Sequence, residues 1–334
     1  MGTVPTVYRW DDADAPLYPT GNTDYVATDF IGRILKACLV DGYGIKSAAG
    51  WTLHDATWPS SGSPGRLILE PASGTGVAEV WLHNSDSTVT VSQVAAGWDG
   101  GALVGAVPRV YTLSGSAYET ISDPRTDRWC VVANENAMVL LTWRDPAALS
   151  GESLSAYNGV VMIMGEMVAV SPHIAAGASP NFAAYTHAYR RGSGTIADGA
   201  VFGADDTVGQ LQNGVFSLAK ADGGLYSGSG SVDFSAWVPG VTGISHIVFW
   251  PASPFIPVVP AFLRETLSGQ PSVVSRWPGL WLTPSTPSIE QLLHDRDTAG
   301  RWTGDLVSLD GTDVVYIASQ KSFGYVSLAA GDWP

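Results

Sequence analysis

Trp129-Cys130-Val131-Val132-Ala133 and Met138-Val139-Leu140-Leu141-Thr142-Trp143, separated by Asn134-Glu135-Asn136-Ala137, decide the class of fold. Each run has strand length and strand composition, and the four residues between them are of hairpin-loop length. The same pattern recurs outward along the chain. Leu67–Leu69, Ala78–His83, Thr88–Val94, Val160–Met164, Met167–Val170, Val215–Leu218 and His246–Trp250 all read as strands. Asp305–Leu309, Val314–Ala318 and Tyr325–Ala329 read as an antiparallel meander, with turns at Asp310-Gly311 and Phe323-Gly324. The expectation is a mostly-β fold of antiparallel sheets, sandwich- or barrel-like.

One helix stands out. Phe30, Ile31, Ile34, Leu35, Cys38 and Leu39 recur at helical spacing, with Arg33 and Lys36 on the polar side. Thr28 or Asp29 is the expected cap and Gly42 the expected αL stop. So apolar a face requires a sheet to pack on. A short second helix is expected over Ile289 to His294, after Pro287-Ser288.

Residues 1–27 read as an extended N-terminal arm: Pro5, Pro16 and Pro19 punctuate an acidic run (Asp11, Asp12, Asp14) interleaved with Tyr8, Trp10 and Tyr18. Residues 28–334 read as the β-rich body. Within it, 192–231 is Gly- and Ser-rich and reads as loops around one or two strands. In 251–260 proline recurs every third residue (Pro251, Pro254, Pro257, Pro260), the polyproline II period. Phe255, Ile256, Val258 and Val259 then face two sides of a rod suited to a buried connector or a neighbouring subunit. An SH3-type ligand usually has basic flanks, which this stretch lacks.

Composition bounds the function. The 334 residues are 45% apolar and only 14% charged, with 38 Gly, 21 Pro and 13 Trp. Such aromatic content excludes a disordered chain, and the low charge fits a surface partly covered by other subunits. Net charge is −14, and the largest basic cluster is Arg190-Arg191, so no direct nucleic-acid contact is expected. Gly159–Val170 is too short for a membrane span and contains Glu166, while Ile247–Leu263 carries four prolines. No signal segment is visible in Met1 to Asp14. Cys38 and Cys130 form no CxxC pair and read as buried, reduced thiols, consistent with folding in a cytoplasm.

Catalytic chemistry is sparse. No G-x-S-x-G elbow or phosphate loop occurs; Gly42-Tyr43-Gly44-Ile45-Lys46-Ser47 follows a helix where a phosphate loop would precede one. The six histidines (54, 83, 173, 187, 246, 294) lack metal spacing. Asp295-Arg296-Asp297-Thr298-Ala299-Gly300 has the shape of a calcium turn without the remaining ligands, and a solvated acidic turn is the simpler reading. Asp205-Asp206 is a poor glycosidase pair, because neighbours on a loop point apart. No catalytic residue, cofactor or metal site is assigned. Trp81, Trp129, Trp143 and Trp250 lie in or beside strands and read as core filling, while Trp51, Trp58 and Trp98 fall in loops and are candidates for stacking on a glycan.

Ile34-Leu35-Lys36-Ala37-Cys38-Leu39-Val40-Asp41-Gly42-Tyr43-Gly44, closing with Lys46 and Ala48-Ala49-Gly50-Trp51, resembles a signature in structural proteins of tailed bacteriophages. The resemblance extends, in order, to an arm like Tyr8-Arg9 to Ala15-Pro16 and strands like Arg128–Ala133 and Ala137–Leu141. It continues with a strand start like Gly165-Glu166-Met167-Val168, a turn like Trp277-Pro278-Gly279-Leu280-Trp281 and a terminus like Asp332-Trp333. The middle section, 172–275, departs from it. The resemblance implies an all-β body built into a virion in several copies, with no catalytic residues to carry over.

The expected function is therefore a non-enzymatic virion protein of the tail or adsorption apparatus, folded in the host cytoplasm and assembling with itself and other virion proteins. Tyr8, Trp10, Pro16, Tyr18, Phe255, Ile256, Val258 and Val259 are the subunit-interface candidates. The alternatives are an external capsid decoration or cement protein, a module contacting host-surface glycan through Trp51, Trp58 or Trp98, and a glycan-degrading enzyme.

Overall fold

Apolar runs such as Cys130–Ala133 and Val139–Leu141 leave no polar face, so their strands need cover on both sides. The computed structural model shows how they obtain it. It describes residues 2–19, 24–85, 89–108, 128–143, 158–175, 177–190, 214–230, 259–267, 270–282, 304–309, 312–318 and 323–334.

From the N-terminus come strand β1 (Thr6–Arg9), helix α1 (Asp24–Lys36) and a π-helical last turn (Ala37–Asp41). Next are β2 (Thr52–Thr57), β3 (Gly65–Glu70), β4 (Val77–Leu82) and β5 (Val89–Ala95), then the short β6 (Gly97–Trp98), β7 (Leu103–Val104) and β8 (Val107–Pro108). The middle of the chain supplies β9 (Arg128–Ala133), β10 (Ala137–Trp143), β11 (Asn158–Glu166), β12 (Val168–Ala169), β13 (Asn181–Arg190), β14 (Gly214–Ala219) and β15 (Leu225–Gly230). It ends with β16 (Val259–Leu267), β17 (Gln270–Leu282), β18 (Leu306–Leu309), β19 (Thr312–Ala318) and β20 (Phe323–Ser327).

The described strands form four sheets, and all their pairings are antiparallel. The central one has seven strands in the order β1-β9-β10-β11-β13-β14-β15. A six-stranded sheet holds β12-β17-β20-β19-β18 with β16 beside β17, a five-stranded sheet holds β2-β3-β4-β5-β8, and β6 pairs with β7. The mostly-β class read from the sequence is the observed one.

Alternation along β9, β10 and β11 sends Val131, Leu140 and Met162 to one face and Val132, Val139 and Ile163 to the other. The first face packs on α1 and the inner side of the five-stranded sheet (Leu67, Val80, Val91). The second packs on Trp277, Leu280, Val315 and Val326 of the six-stranded sheet and on Trp333. The central sheet is thus the buried middle layer.

Helix α1 buries Phe30, Ile31, Ile34 and Leu35, while Arg33 stays outside and pairs with Asp29 at 2.6 Å. Gly32 lets the helix approach β4: a Cβ there would lie 2.7 Å from a Leu82 methyl carbon. The helix already includes Asp24, so Thr28 is interior and buried. Its hydroxyl donates to the carbonyl of His83 at 2.7 Å instead of capping. Gly42 has the expected positive φ of 78°, but its ψ of 171° is not αL. The helix widens instead, and the Gly42 amide reaches back five residues to Ala37 at 2.8 Å.

In the described part of the 1–27 arm, β1 packs on the chain's own body as the edge strand of the central sheet, in register Tyr8↔Val131. Other expectations change. Phe323-Gly324 is strand, not turn, and the Gly/Ser-rich Ser227–Gly230 belongs to β15. Val259 and Pro260 lie in β16. The rest of the proline repeat, with Phe255, Ile256 and Val258, lies outside the described residues, as do His246–Trp250, Ile289–His294 and Asp310-Gly311.

Strand β17 tolerates Pro278 because that residue falls between the parts paired to β12 (Ser275, Arg276) and to β20 (Leu280–Leu282). The next residue, Gly279, has φ of 63°, and a Cβ there would sit 2.6 Å from the Trp333 ring. Replacing Gly279 by Ala is therefore expected to destabilise the protein by about 2–3 kcal/mol, from backbone strain and displacement of a buried indole. Urea titration of the variant measures this.

Candidate functional site

The segments that carry the family resemblance converge in space. An edge strand leaves one row of backbone groups unpaired, and for β1 that row is filled by side chains from the turn after α1 and by Asp12, just beyond β1 itself. Lys46 Nζ donates to the Val7 carbonyl at 2.6 Å, and the Arg9 amide donates to Asp12 Oδ2 at 2.6 Å. The same carboxylate oxygen accepts from the Tyr43 hydroxyl at 2.7 Å and from Lys46 at 2.6 Å. Tyr8, fully buried, donates its hydroxyl to the Ser47 carbonyl at 2.7 Å. The turn is closed by reciprocal Tyr43 and Lys46 backbone bonds of 3.0 and 2.9 Å, and Ile45 at its tip is fully exposed.

The second point of convergence is the β9–β10 loop. Asn134 is buried, and its Oδ1 accepts the amides of Asn136 and Ala137 at 2.9 and 2.8 Å. Its Nδ2 donates to the carbonyls of Thr3 and Pro334, both at 3.3 Å, so one amide ties the two ends of the chain together. Its backbone carbonyl accepts Trp51 Nε1 at 3.0 Å. At the C-terminus Arg276 pairs with Asp332 at 3.0 Å, and Trp333 Nε1 donates to the Ser327 carbonyl at 2.8 Å. Helix end, turn, hairpin and C-terminus form one junction, held by hydrogen bonds and packed rings.

This geometry removes two site assignments, those of Tyr8 and Trp51, and places Trp10, Pro16, Tyr18, Trp58 and Trp98 at half-buried positions. Tyr8 cannot clamp a neighbouring subunit, since its ring lies in the chain's own core. Trp10 is half-buried with the Arg128 guanidinium 4.3 Å from its ring centre, Tyr18 packs edge-on against Phe30 at 5.1 Å, and the Pro16 carbonyl accepts Trp129 Nε1 at 3.3 Å. Trp51 cannot stack on a glycan, being buried edge-on to Phe182. Trp58 is half-buried beneath Arg33, and Trp98 is half-buried and stacked on His54.

Trp81, read from the sequence as core, lies half-exposed on the face of β4 that carries Glu79. Strand alternation holds the signal: with Ala78, Val80 and Leu82 inward, Glu79 and Trp81 must share the outward face.

Neither thiol is poised as a nucleophile. Cys38 and Cys130 are free and buried, and burial pushes both up, Cys130 to about 12. Among the described residues, no group of three His, Cys, Asp or Glu is arranged to hold a metal ion. No described helix is long and apolar enough to cross a membrane. Asp205-Asp206 and the Asp295–Gly300 turn lie outside the described residues.

The tyrosines of the β1 latch do bear a pH signature. Burial raises Tyr8 from 10.0 to about 12, and burial together with the hydrogen bond to Asp12 raises Tyr43 as well. The unfolded chain therefore releases these protons first as pH rises. Their contribution to stability is full below pH 10 and is lost as pH climbs from there through about 12 for Tyr8 and beyond it for Tyr43. Tyr43→Phe is expected to flatten that fall, which thermal melts across the alkaline range measure.

No protein-family model matches the chain, and a search of curated proteins finds no significant match.

Proposed function

We propose that the chain is a structural protein of a tailed-phage virion, part of the tail or adsorption apparatus, assembling with itself and with other virion proteins. One observation supports the reading above others: the residues that resemble the family's signature are spent on architecture. Tyr43 and Lys46 cap the edge of β1, Trp51 binds the central hairpin loop, and Gly279 accommodates Trp333. A protein whose task is to hold a shape within a particle requires that; a catalyst would require reactive groups brought together.

Contacts with neighbours, in this reading, fall to apolar side chains left exposed near the latch. Val4 is 69%, Leu17 79% and Ile45 100% exposed. They take the place of the buried Tyr8. Antibody against the recombinant chain, gold-labelled and viewed on purified particles by electron microscopy, tests the location. Label at the tail supports the proposal. Label spread over the shell would replace it with the decoration-protein alternative.

A further inference from the structure

The outer face of the five-stranded sheet is built differently from an ordinary solvated face. Its inner face supplies Leu67, Val80 and Val91 to the core, and the opposite face carries Arg66, Glu79, Trp81 and Gln93 in adjacent register. Glu79 is the unusual member, a carboxylate whose side chain is only 7% exposed on what is nominally the solvent side. Its Oε2 accepts from Trp81 Nε1 at 2.9 Å, the Ser92 hydroxyl at 2.6 Å and Gln93 Nε2 at 2.7 Å. Its Oε1 faces Arg66 Nη1 at 3.6 Å and accepts no hydrogen bond from the described residues. A nearly buried carboxylate is weak support for stability, since apolar residues of like size hold a sheet as well. Its presence calls for another reason.

Two β-bulges bracket the cluster. The extra residue in β2 is His54, whose side chain turns to Glu70; the extra residue in β5 is Ser92, whose hydroxyl turns to Glu79. Bulges re-aim side chains, and here both re-aim them onto one face. Along the strip, Trp81 stands at one end. At the other, Trp98 packs over Ile68, Val77 and Ala95 and stacks on His54. Trp81 to Val77 is four residues of strand, about 13 Å, the length of a short oligosaccharide.

We propose that this strip, from Trp81 across Arg66, Glu79 and Gln93 to Trp98, binds a neutral oligosaccharide. The half-exposed indoles offer flat apolar faces for sugar rings, and the polar groups between them fix orientation. Three oxygens are left to accept sugar hydroxyls: Glu79 Oε1, Asp55 Oδ1 and Gln93 Oε1. The last two accept no hydrogen bond from the described residues and are not among the buried atoms without a partner. Arg66, held by Asp55 at 2.6 Å and 39% exposed, adds a fixed donor. The carboxyl groups of Glu79, Asp55 and Glu70 outnumber the Arg66 guanidinium on this face, which disfavours anionic sugars. This site is separate from the latch and does not depend on the virion reading.

The test uses saturation-transfer NMR on the isolated full chain with maltotriose, chitotriose and mannotriose, and sialyllactose for contrast. At least one neutral trisaccharide should receive saturation, and sialyllactose less. Trp81→Ala and the isosteric Asp55→Asn should each weaken binding about tenfold, while Leu306→Ser, exposed on β18 of the six-stranded sheet, leaves it unchanged. Asp55→Asn keeps the test valid should Trp81→Ala perturb the fold. The proposal is overturned if no neutral trisaccharide receives saturation, if sialyllactose binds best, or if Asp55→Asn, folded, binds as the parent does.

Discussion

A chain beginning at residue 28 is expected not to fold. Truncation removes β1, bares the edge of β9, deletes the start of α1 and takes away Tyr8, which is fully buried, and Tyr18, which packs on Phe30. Burial of one such ring is worth about 2–3 kcal/mol, and a whole domain has only about 5–15 kcal/mol in hand. Loss of a strand, two rings and the Asp12 carboxylate that organises the latch should exceed that margin. Circular dichroism and urea titration of the 28–334 fragment provide the check. A cooperative transition like that of the intact chain would mean that residues 1–27 are a separable arm after all.

The second large effect is expected for Trp51→Ala. The side chain is buried, lies edge-on to Phe182 and donates to the Asn134 carbonyl at 3.0 Å. Truncating a buried Trp costs about 3–5 kcal/mol, and the orphaned carbonyl adds about 1–3 kcal/mol. Trp51→Phe should lose much less, keeping most of the ring but not the hydrogen bond. The readout is the denaturation midpoint. Normal stability in Trp51→Ala would contradict a structural role and reopen a binding role for this indole.

The strands most legible in the sequence are those the fold buries on both faces. Cys130–Ala133 and Val139–Leu141 are unbroken apolar runs because α1 and the five-stranded sheet cover one side of the central sheet and the six-stranded sheet the other. Edge strands and irregular strands are harder to read. In β1 only Tyr8 is fully buried, so Thr-Val-Tyr-Arg carries no usable alternation. In β2 the bulge at His54 breaks the period of two, and in β17 Pro278 speaks against a strand that in fact bends there. Four of the six residues of strand β15 are glycine or serine, a composition that points to loop. The latch could not be found from spacing, because Asp12 and Lys46 lie 34 residues apart and meet only once β1 has paired. The outer strip was partly legible, since Glu79 and Trp81 share a parity. What alternation along one strand does not reveal is that Arg66, Ser92 and Gln93 arrive from its neighbours.

The central claim is membership of a particle, and quantitative mass spectrometry of density-gradient-purified virions tests it most directly. Peptides of this chain should co-purify with the particles in a fixed ratio to the major shell protein, in copies fewer than that protein. Peptides confined to the soluble lysate, absent from particles that still infect, would contradict it.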